Sequence, residues 1–370
     1  MQTDKSPTPD RETFSYFTFQ YLLDNPVEQE WIIEGMIMKG DPALIHAPGG
    51  VGKSMLGLYI ALHLAAHGSM DPGTPLNVIF DRFPVKKQRT TLFIQAENST
   101  AALQNRIKSM SEGNPALKTG ISRVFVLCQH NDTTITGKHF TDGAFQEDLV
   151  KTIKVIEKEE KVKIDLIIID PLISYLEGSE NDSVETRATL DGISQVCSQA
   201  QCTAIVIHHA NKSGEEYRGS TAINDWARNR ISLKQEDGTK PVVGKDSRGK
   251  IEHGEKPVKL IRVTQEKCNN FELFDPFLLE MGSDLNFRLA EERLKPKEIK
   301  DCKNVVKVLE GMGGHAESQT AFAKAYKGSF KVAEKTAKRH IEIAEKHSYI
   351  SKKTTIKDGK ETYEYSLLEK

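Results

Sequence analysis

The chain has 370 residues with a formal net charge of −1, and 28% of the residues are charged. This length suits about two domains, and the balanced charge excludes a chain that attracts nucleic acid over its whole surface. The five cysteines form no Cys-x-x-Cys pair, which argues against a zinc motif or a disulfide framework and for a reducing compartment. Because no run of about 18 apolar residues occurs and no secretory signal opens the chain, we expect a cytoplasmic protein without a membrane partner.

Residues 1–30 form an opening segment that is first polar and then aromatic between Phe14 and Tyr21. We interpret this segment as an N-terminal arm. An arm of this kind packs either on a neighbouring subunit or on the core of its own chain, and the second arrangement is the favoured prediction.

A glycine-rich stretch, 48–55, matches a relaxed phosphate-binding loop in which Ala47 replaces the usual first glycine. An apolar strand precedes this loop and an apolar helix follows it, so the positive end of the helix dipole is expected to face bound phosphates. We expect Lys53 to reach the outer phosphates of ATP and Ser54 to bind Mg²⁺. The predicted nucleotide-binding residues are Pro48, Gly49, Gly50, Val51, Gly52, Lys53, Ser54 and Met55.

From residue 31 onward, apolar strands alternate with helical patterns, which predicts an α/β core with a parallel sheet flanked by helices on both faces. The expected strands are 42–47, 90–95, 123–128, 164–169 and 203–208. The expected helices are 55–67, 101–110, 145–159 and 184–200. Residues 68–89 are expected to form a surface loop with a basic end at Lys86, Lys87 and Arg89.

Two carboxylates follow predicted core strands. Asp170 ends the run Ile-Asp-Leu-Ile-Ile-Ile-Asp, and a buried parallel strand would deliver it beside the phosphate-binding loop to hold Mg²⁺. Asp165 starts the same strand and should lie far from the loop. Glu97 ends the strand Phe-Ile-Gln-Ala-Glu, where it can orient and deprotonate the water that attacks the γ-phosphate; a helix-capping role is the alternative.

A further strand ends in the adjacent residues His208 and His209, either of which can sense the γ-phosphate, and a structural histidine pair is the alternative. Neighbouring residues on a strand point to opposite faces, which argues against a shared metal ion. The following loop contains Arg218, Gly219 and Ser220, which are suited to a nucleic-acid phosphate. Arg228 or Arg230 is a candidate arginine finger for a neighbouring subunit, with intrachain salt bridges as the alternative.

The remaining chain predicts strands at 229–234, 258–267 and 271–279, with a flexible excursion at 236–256 and a linker at 295–297. Helices at 298–310, 318–326 and 332–346, followed by two strands around Asp358-Gly359, resemble a small winged-helix domain. Lys335, Lys338 and Arg339 are predicted DNA contacts, and a merely solvated basic face is the alternative. The predicted boundaries are therefore 31–292 for the core domain and 297–370 for the winged-helix-like domain.

Five segments of the chain occur in this order: Gly-Gly-Val-Gly-Lys-Ser, Ile-Gln-Ala-Glu-Asn, Leu-Ile-Ile-Ile-Asp-Pro-Leu, His-His-Ala-Asn-Lys and Arg-Gly-Ser-Thr-Ala-Ile-Asn-Asp. Together they resemble the RecA-like, AAA-type ATPases of the RepA hexameric-helicase family. The resemblance covers about 31–279. It implies a homo-hexamer that binds ATP between neighbours and single-stranded DNA in a central channel. By this likeness Glu97 is the catalytic base, Asp170 the Walker B acid and His208 or His209 the sensor, while Lys267 competes with Arg228 and Arg230 for the role in the neighbour's site.

The resemblance implies an ATP-dependent, ring-forming DNA helicase in the replication of a plasmid, phage or other mobile element, with a primase or replication initiator as a possible partner. A DNA-binding regulator or partition-type ATPase, in which the core is a nucleotide switch, is the alternative. A recombinase-like filament, open and helical instead of a closed ring, is the third interpretation.

Overall fold

The structure is a computed structural model, and it describes residues 17–66, 77–129, 134–210, 220–245, 251–290, 296–346, 349–357 and 360–367. The chain forms two compact units. The first comprises Met1–Glu236 and Lys259–Ala290, and the second comprises Asp237–Val258 and Glu291–Lys370. Within the described residues, no helix has the length and apolar character needed to cross a membrane.

The first unit is built from alternating strands and helices. Its helices are α1 (Phe19–Asp24), α2 (Lys53–Ala65), α3 (Thr100–Gly113), α4 (Gly143–Glu159), α5 (Ser183–Ala200) and α6 (Thr221–Trp226). Its first strands are β1 (Trp31–Ile33), β2 (Ile37–Met38), β3 (Ala43–Ala47), β4 (Asn77–Ile79), β5 (Phe83–Val85), β6 (Thr90–Gln95) and β7 (Val124–Cys128). The remaining strands are β8 (Ile164–Asp170), β9 (Thr203–His209), β10 (Asn229–Lys245), β11 (Ile251–Cys268), β12 (Phe277–Met281) and β13 (Phe287–Ala290). The parts of β10 and β11 within Asp237–Val258 belong to the second unit.

Nine of these strands form one sheet in the order β13-β12-β11-β10-β3-β9-β8-β6-β7. The six strands from β10 to β7 are parallel, and β11, β12 and β13 pair in antiparallel fashion at the other side. Crossovers from β3 to β6 and from β8 to β9 bring the carboxyl ends of the central strands to one edge. The predicted α/β fold class, a RecA-like P-loop core, is confirmed.

Hydrophobic packing explains this arrangement, because β3, β6 and β8 are buried along their entire lengths and need cover on both faces. One face packs against α2, which is apolar on almost every side and is buried nearly completely. The other face packs against α4 and α5, whose apolar residues lie on one side of each helix. The predicted helices and strands of this core are confirmed, and their ends differ by three residues at most.

The segment predicted as a surface loop at 68–89 is more ordered than expected in its described part. Residues 77–85 contain the hairpin β4–β5. Arg89, expected at a basic surface, is only 2% exposed, and its guanidinium lies 2.7 Å from Glu30 and 3.0 Å from Asp165. Asp165 also accepts the backbone N–H of Thr90, so it lies at the start of the strands and far from the phosphate loop, as predicted.

The N-terminal segment departs from the favoured prediction that it covers its own core. Its described part forms the short helix α1, in which no residue is buried. Phe19 and Leu23 are 88% and 75% exposed. Propensity and a Thr18 cap suffice for a turn of helix, and the Phe17 and Tyr21 rings stack on each other at the surface.

Two predictions after Trp226 also need correction. The residues predicted as a flexible excursion, 236–256, largely continue β10 and β11, and 246–250 lie outside the described residues. The strand predicted to start at Phe271 starts only at Phe277. Phe274 donates its backbone N–H to the buried Gln265 side chain instead of to a strand neighbour.

The second unit contains α7 (Pro296–Gly311), β14 (His315–Ala316), α8 (Gln319–Phe330), α9 (Glu334–Lys346), β15 (Ile350–Lys357) and β16 (Lys360–Leu367). The strands form an antiparallel sheet in the order β14-β16-β15, and the helices share one core with them. Pro296 and Lys297, predicted as linker, begin α7, where proline is tolerated because the first helical N–H needs no partner. The three predicted helices and the hairpin are present, and the winged-helix assignment stays a prediction.

Candidate nucleotide-binding site

The phosphate-binding loop joins β3 to α2 at the carboxyl edge of the sheet. Gly50 and Gly52 have φ of +77° and +104°, which residues with side chains rarely adopt. Gly52 is also the N-cap of α2 and offers no side chain to the first N–H groups. Those donors and the helix dipole are therefore available to an anion at this end of α2.

Lys53 lies over the loop that it is predicted to serve. Its ammonium donates to the carbonyls of Ala47 and Pro48, at 2.8 and 2.9 Å. Burial lowers the pKa of Lys53, while the negative charges of Asp170 and Glu97 partly oppose this effect. A buried cation whose two close hydrogen bonds go to neutral carbonyls is well placed to exchange them for phosphate oxygens.

The other predicted residues of the loop divide by exposure. Gly49 and Gly50 are exposed, so their backbone N–H groups are accessible to a ligand. Val51 and Met55 are buried in the hydrophobic core, so only their backbone can face a nucleotide. Sequence alone does not make this distinction, because both residues lie inside the motif.

Asp170 ends β8 beside the loop, as predicted, and is only 3% exposed. Burial raises its pKa to about 6, although the Ser54 hydroxyl hydrogen-bonds the carboxylate and favours its charged form. The nearby charge of Glu97 raises the pKa further, while Lys53 and Arg106 oppose it. Oδ2 of Asp170 is buried and has no hydrogen-bond partner among the described residues.

This arrangement fits Mg²⁺. Oδ2 of Asp170 is a buried carboxylate oxygen that receives no hydrogen bond within the described chain, and the Ser54 hydroxyl lies next to the same carboxylate. Hard divalent cations prefer such oxygen ligands. No cluster of three or more His, Cys, Asp or Glu side chains suited to a metal occurs in the described part of the chain. Water and phosphate oxygens are the usual further ligands of Mg²⁺ in nucleotide sites.

Glu97 follows β6, the neighbour of β8, and is exposed at the same edge. Its charge acts on both Lys53 and Asp170, so the structure brings the three predicted residues together. Sequence reasoning missed two nearby residues. Arg106 of α3 faces Asp170 closely enough to lower its pKa, and Gln95 is a buried residue next to the Glu97 turn. For Gln95 the only signal was its position at the end of the strand, and Arg106 had none because it lies within α3.

The two histidines have different environments. The register pairs Ala47 with His209, and Nδ1 of His209 lies 3.4 Å from the Lys53 ammonium. His208 is fully buried on the opposite face, and its Nε2 lies 3.9 Å from Oε2 of Glu180. Of the two predicted sensors, the structure places only His209 against the phosphate loop.

The three basic candidates for a neighbour's site lie at the other end of the strands. The backbone N–H of Arg228 bonds Pro42, which precedes β3, so about 16 Å of strand separates it from the phosphate loop. Arg230 is ion-paired with Glu266 at 2.8 Å, and Lys267 donates to the Asn224 carbonyl at 2.6 Å. The Arg228 side chain is exposed and has no hydrogen bond or ion pair within the described chain.

The predicted DNA contacts are only partly described. Arg218 and Gly219 lie outside the described residues. Ser220 requires a correction, because it is 5% exposed, its N–H donates to the Glu180 carbonyl and its hydroxyl caps α6. In the second unit, Lys335 and Arg339 are exposed one turn apart on α9, and Lys338 is ion-paired with Glu334 at 3.0 Å.

Comparison with known proteins identifies one family. A family model described as AAA domain matches residues 8–215, which is more than half of the chain. The matched range contains the phosphate loop, Glu97, Asp170 and His209, and it ends before Arg228 and the second unit. A search of curated proteins finds no match.

Proposed function

The chain belongs to the AAA domain family and is a P-loop ATPase, and on that premise we propose that it is a ring-forming DNA helicase. ATP hydrolysis would drive translocation on single-stranded DNA during replication of a plasmid, phage or other mobile element. The observation that carries the proposal is the meeting of Lys53, Asp170, Glu97 and His209 at one edge of a RecA-like sheet.

Each of these residues has a distinct task in hydrolysis. Lys53 releases its two loop carbonyls and neutralises charge on the outer phosphates, and Ser54 with Asp170 holds Mg²⁺. When bound, Mg²⁺ supplies positive charge to the β- and γ-phosphates. Glu97 orients the attacking water and accepts its proton, and its exposed position allows water to approach. His209 reports the γ-phosphate to the segment that follows β9.

A second copy of the chain would complete the site. Arg228, Arg230 and Lys267 lie at the end of the strands opposite the loop, so a cation from this group reaches a phosphate only in another subunit. We propose Arg228 for that task because its guanidinium is exposed and unengaged in the described chain, whereas Arg230 and Lys267 are held by their own subunit. ATP bound between subunits in this way supports a ring, and six is the number that the family resemblance implies.

Single-stranded DNA is proposed to contact the segment between His209 and Ser220, which includes Arg218 and Gly219. This segment directly follows His209, which contacts Lys53, so a change at the phosphates would act on it through His209. The proposed role of the second unit is contact with a primase or replication initiator.

Steady-state ATP hydrolysis with and without single-stranded DNA tests the proposal, followed by unwinding of a forked duplex. We expect stimulation by DNA, loss of hydrolysis in Glu97→Gln and retained ATP binding in that variant. Hydrolysis that depends on Glu97 but ignores DNA, together with no unwinding, would overturn the helicase function and leave the ATPase.

One observation favours a second candidate, a DNA-binding regulator or partition-type ATPase. Lys335 and Arg339 project from the same exposed side of α9, which is a suitable footprint for duplex phosphates. In that case the core serves as a nucleotide-controlled switch. Sequence-specific duplex binding that is unaffected by Lys53→Ala would support this function over the helicase.

A further inference from the structure

The turn that carries Glu97 is held by a buried side-chain clamp. Gln95, the last residue of β6, is completely buried, and its carboxamide reaches past Glu97 to Asn98. Oε1 of Gln95 accepts the Asn98 N–H at 2.8 Å, and Nε2 donates to the Asn98 carbonyl at 2.6 Å. One amide thus satisfies both backbone groups of the residue directly after Glu97.

Two further contacts secure the same turn. The thiol of Cys128, at the end of β7, donates to the Asn98 carbonyl at 3.3 Å and also contacts Gln95 Nε2. On the other side of Glu97, the Ala96 N–H donates to the Asp170 carbonyl at 3.1 Å. The backbone before Glu97 is therefore tied to the Mg²⁺-binding residue, and the backbone after it is tied to Gln95 and Cys128.

Meanwhile the Glu97 side chain is exposed and has no hydrogen bond among the described residues. Its location is thus set by its backbone, and the backbone is set by the clamp. This matters because a displacement of about 1 Å in a group that orients a reactant costs on the order of 100-fold in rate.

The chemistry of the clamp requires an amide. A glutamine side chain supplies a donor and an acceptor together, whereas an ionised glutamate supplies only acceptors. A carboxylate at position 95 would face the Asn98 carbonyl oxygen and leave that half-buried acceptor with the Cys128 thiol alone. The same reasoning applies to Cys128, where serine retains a donor and alanine does not.

We propose that Gln95, assisted by Cys128, is a positioning residue that holds the Glu97 carboxylate in place for water activation. The inference rests on the proposed role of Glu97 as the catalytic base. It adds that two residues whose side chains bond the backbone directly after Glu97 set the rate of the chemical step. Nucleotide affinity, which depends on Lys53 and Ser54, is independent of the clamp.

The experiment measures kcat and KM for ATP, together with binding of a non-hydrolysable ATP analogue, in Gln95→Glu, Gln95→Ala, Cys128→Ala and Cys128→Ser. We expect Gln95→Glu and Gln95→Ala to lower kcat by roughly 30- to 100-fold and to change analogue affinity by less than about threefold. Cys128→Ala is expected to lower kcat by roughly threefold to tenfold, and Cys128→Ser to restore most of this loss.

Asn286→Ala is the matched control. Asn286 is also a buried carboxamide, and it donates to the backbone carbonyl of Met110 at the far end of α3. Its loss should lower the free energy of unfolding about as much as Gln95→Ala, because each substitution removes a buried carboxamide that donates to a backbone carbonyl, while kcat stays within about twofold.

Three results would overturn the inference. The first is an unchanged kcat in both Gln95 variants while Glu97→Gln abolishes hydrolysis. The second is a loss of analogue affinity as large as the loss of kcat in the Gln95 variants. The third is equal activity in Cys128→Ser and Cys128→Ala, and this test remains valid even if the Gln95 variants do not fold. Undiminished hydrolysis in Glu97→Gln would instead refute the proposed base, so the two failures are distinguishable.

Discussion

The ammonium of Lys53 lies 3.4 Å from Nδ1 of His209, and this contact joins the phosphate loop to the end of β9. It exists because β3 and β9 are parallel neighbours in which Ala47 is opposite His209. Since side chains alternate along a strand, His208 points to the other face, towards Glu180. The strand register alone therefore separates a histidine at the phosphate loop from one in the core.

His209→Ala should lower kcat for ATP hydrolysis by roughly tenfold and leave the free energy of unfolding almost unchanged, because the side chain is half-buried at the loop. His208→Ala should instead lower the free energy of unfolding by about 1 to 3 kcal/mol, because it leaves a cavity and deprives buried Glu180 of a neighbour. Steady-state kinetics and urea unfolding check both. The reverse pattern would assign the sensor to His208.

Asp170→Asn should stabilise the protein in the presence of a chelator above pH 6. Burial raises the pKa of Asp170 from its ordinary value of 3.8 to about 6, so the folded state binds more protons than the unfolded state between these values. Stability therefore falls as pH rises through this window, and the full cost of up to about 3 kcal/mol is present above it.

Urea unfolding at pH 4 and at pH 7 measures this effect. The difference between Asp170→Asn and wild type should be small at pH 4 and largest at pH 7. Asp191→Asn, at an exposed ion pair with Arg187, is the control and should change stability by at most about 0.5 kcal/mol. If Asp170→Asn is less stable than wild type at pH 7, the carboxylate of Asp170 does not carry the predicted cost of burial.

Arg228→Ala should abolish most ATP hydrolysis but not ATP binding. Mixing it with subunits that carry a different defect, Lys53→Ala, should restore part of the hydrolysis. In an equal mixture with Lys53→Ala, each Arg228→Ala subunit keeps a working loop and the Lys53→Ala subunit supplies Arg228. Random mixing predicts about a quarter of the wild-type rate, since half of the loops are intact and half of these face an intact arginine. Recovery by Arg230→Ala in place of Arg228→Ala would reassign the residue.

Lys335→Ala combined with Arg339→Ala should weaken binding of duplex DNA if the second unit contacts phosphates. Because the two residues share one exposed side of α9, the slope of log affinity against log salt concentration should fall by about 2. Lys151→Ala, an exposed lysine of α4, is the control for general charge effects. An unchanged slope would identify the basic side of α9 as a merely solvated surface.

Local sequence patterns predicted most of the core, because each buried strand reads as an apolar run and each covering helix as a periodic one. The location of a side chain was harder to predict where charged residues far apart in the chain could pair with it. Arg89 appeared to belong to a basic surface, yet it is buried between Glu30 and Asp165, which are 59 and 76 positions away in the chain. The strands predicted at 229–234 and 258–267 are present as parts of β10 and β11. Their continuation into 235–245 and 251–257 is not predicted because glycine and charged residues disguise the strand pattern.

The sequence by itself determined the phosphate loop, the acidic residues that end the core strands and the α/β class, since each depends on residues close together in the chain. Only the tertiary structure decided which histidine meets Lys53, that Arg230 is paired with Glu266, and that Gln95 and Cys128 hold the turn of Glu97. Apart from the local bond between Gln95 and Asn98, these contacts join residues 30 to 156 positions apart, so they depend on the order and register of the strands. Backbone hydrogen bonds and core packing set that order for the whole sheet at once, so no single segment encodes it.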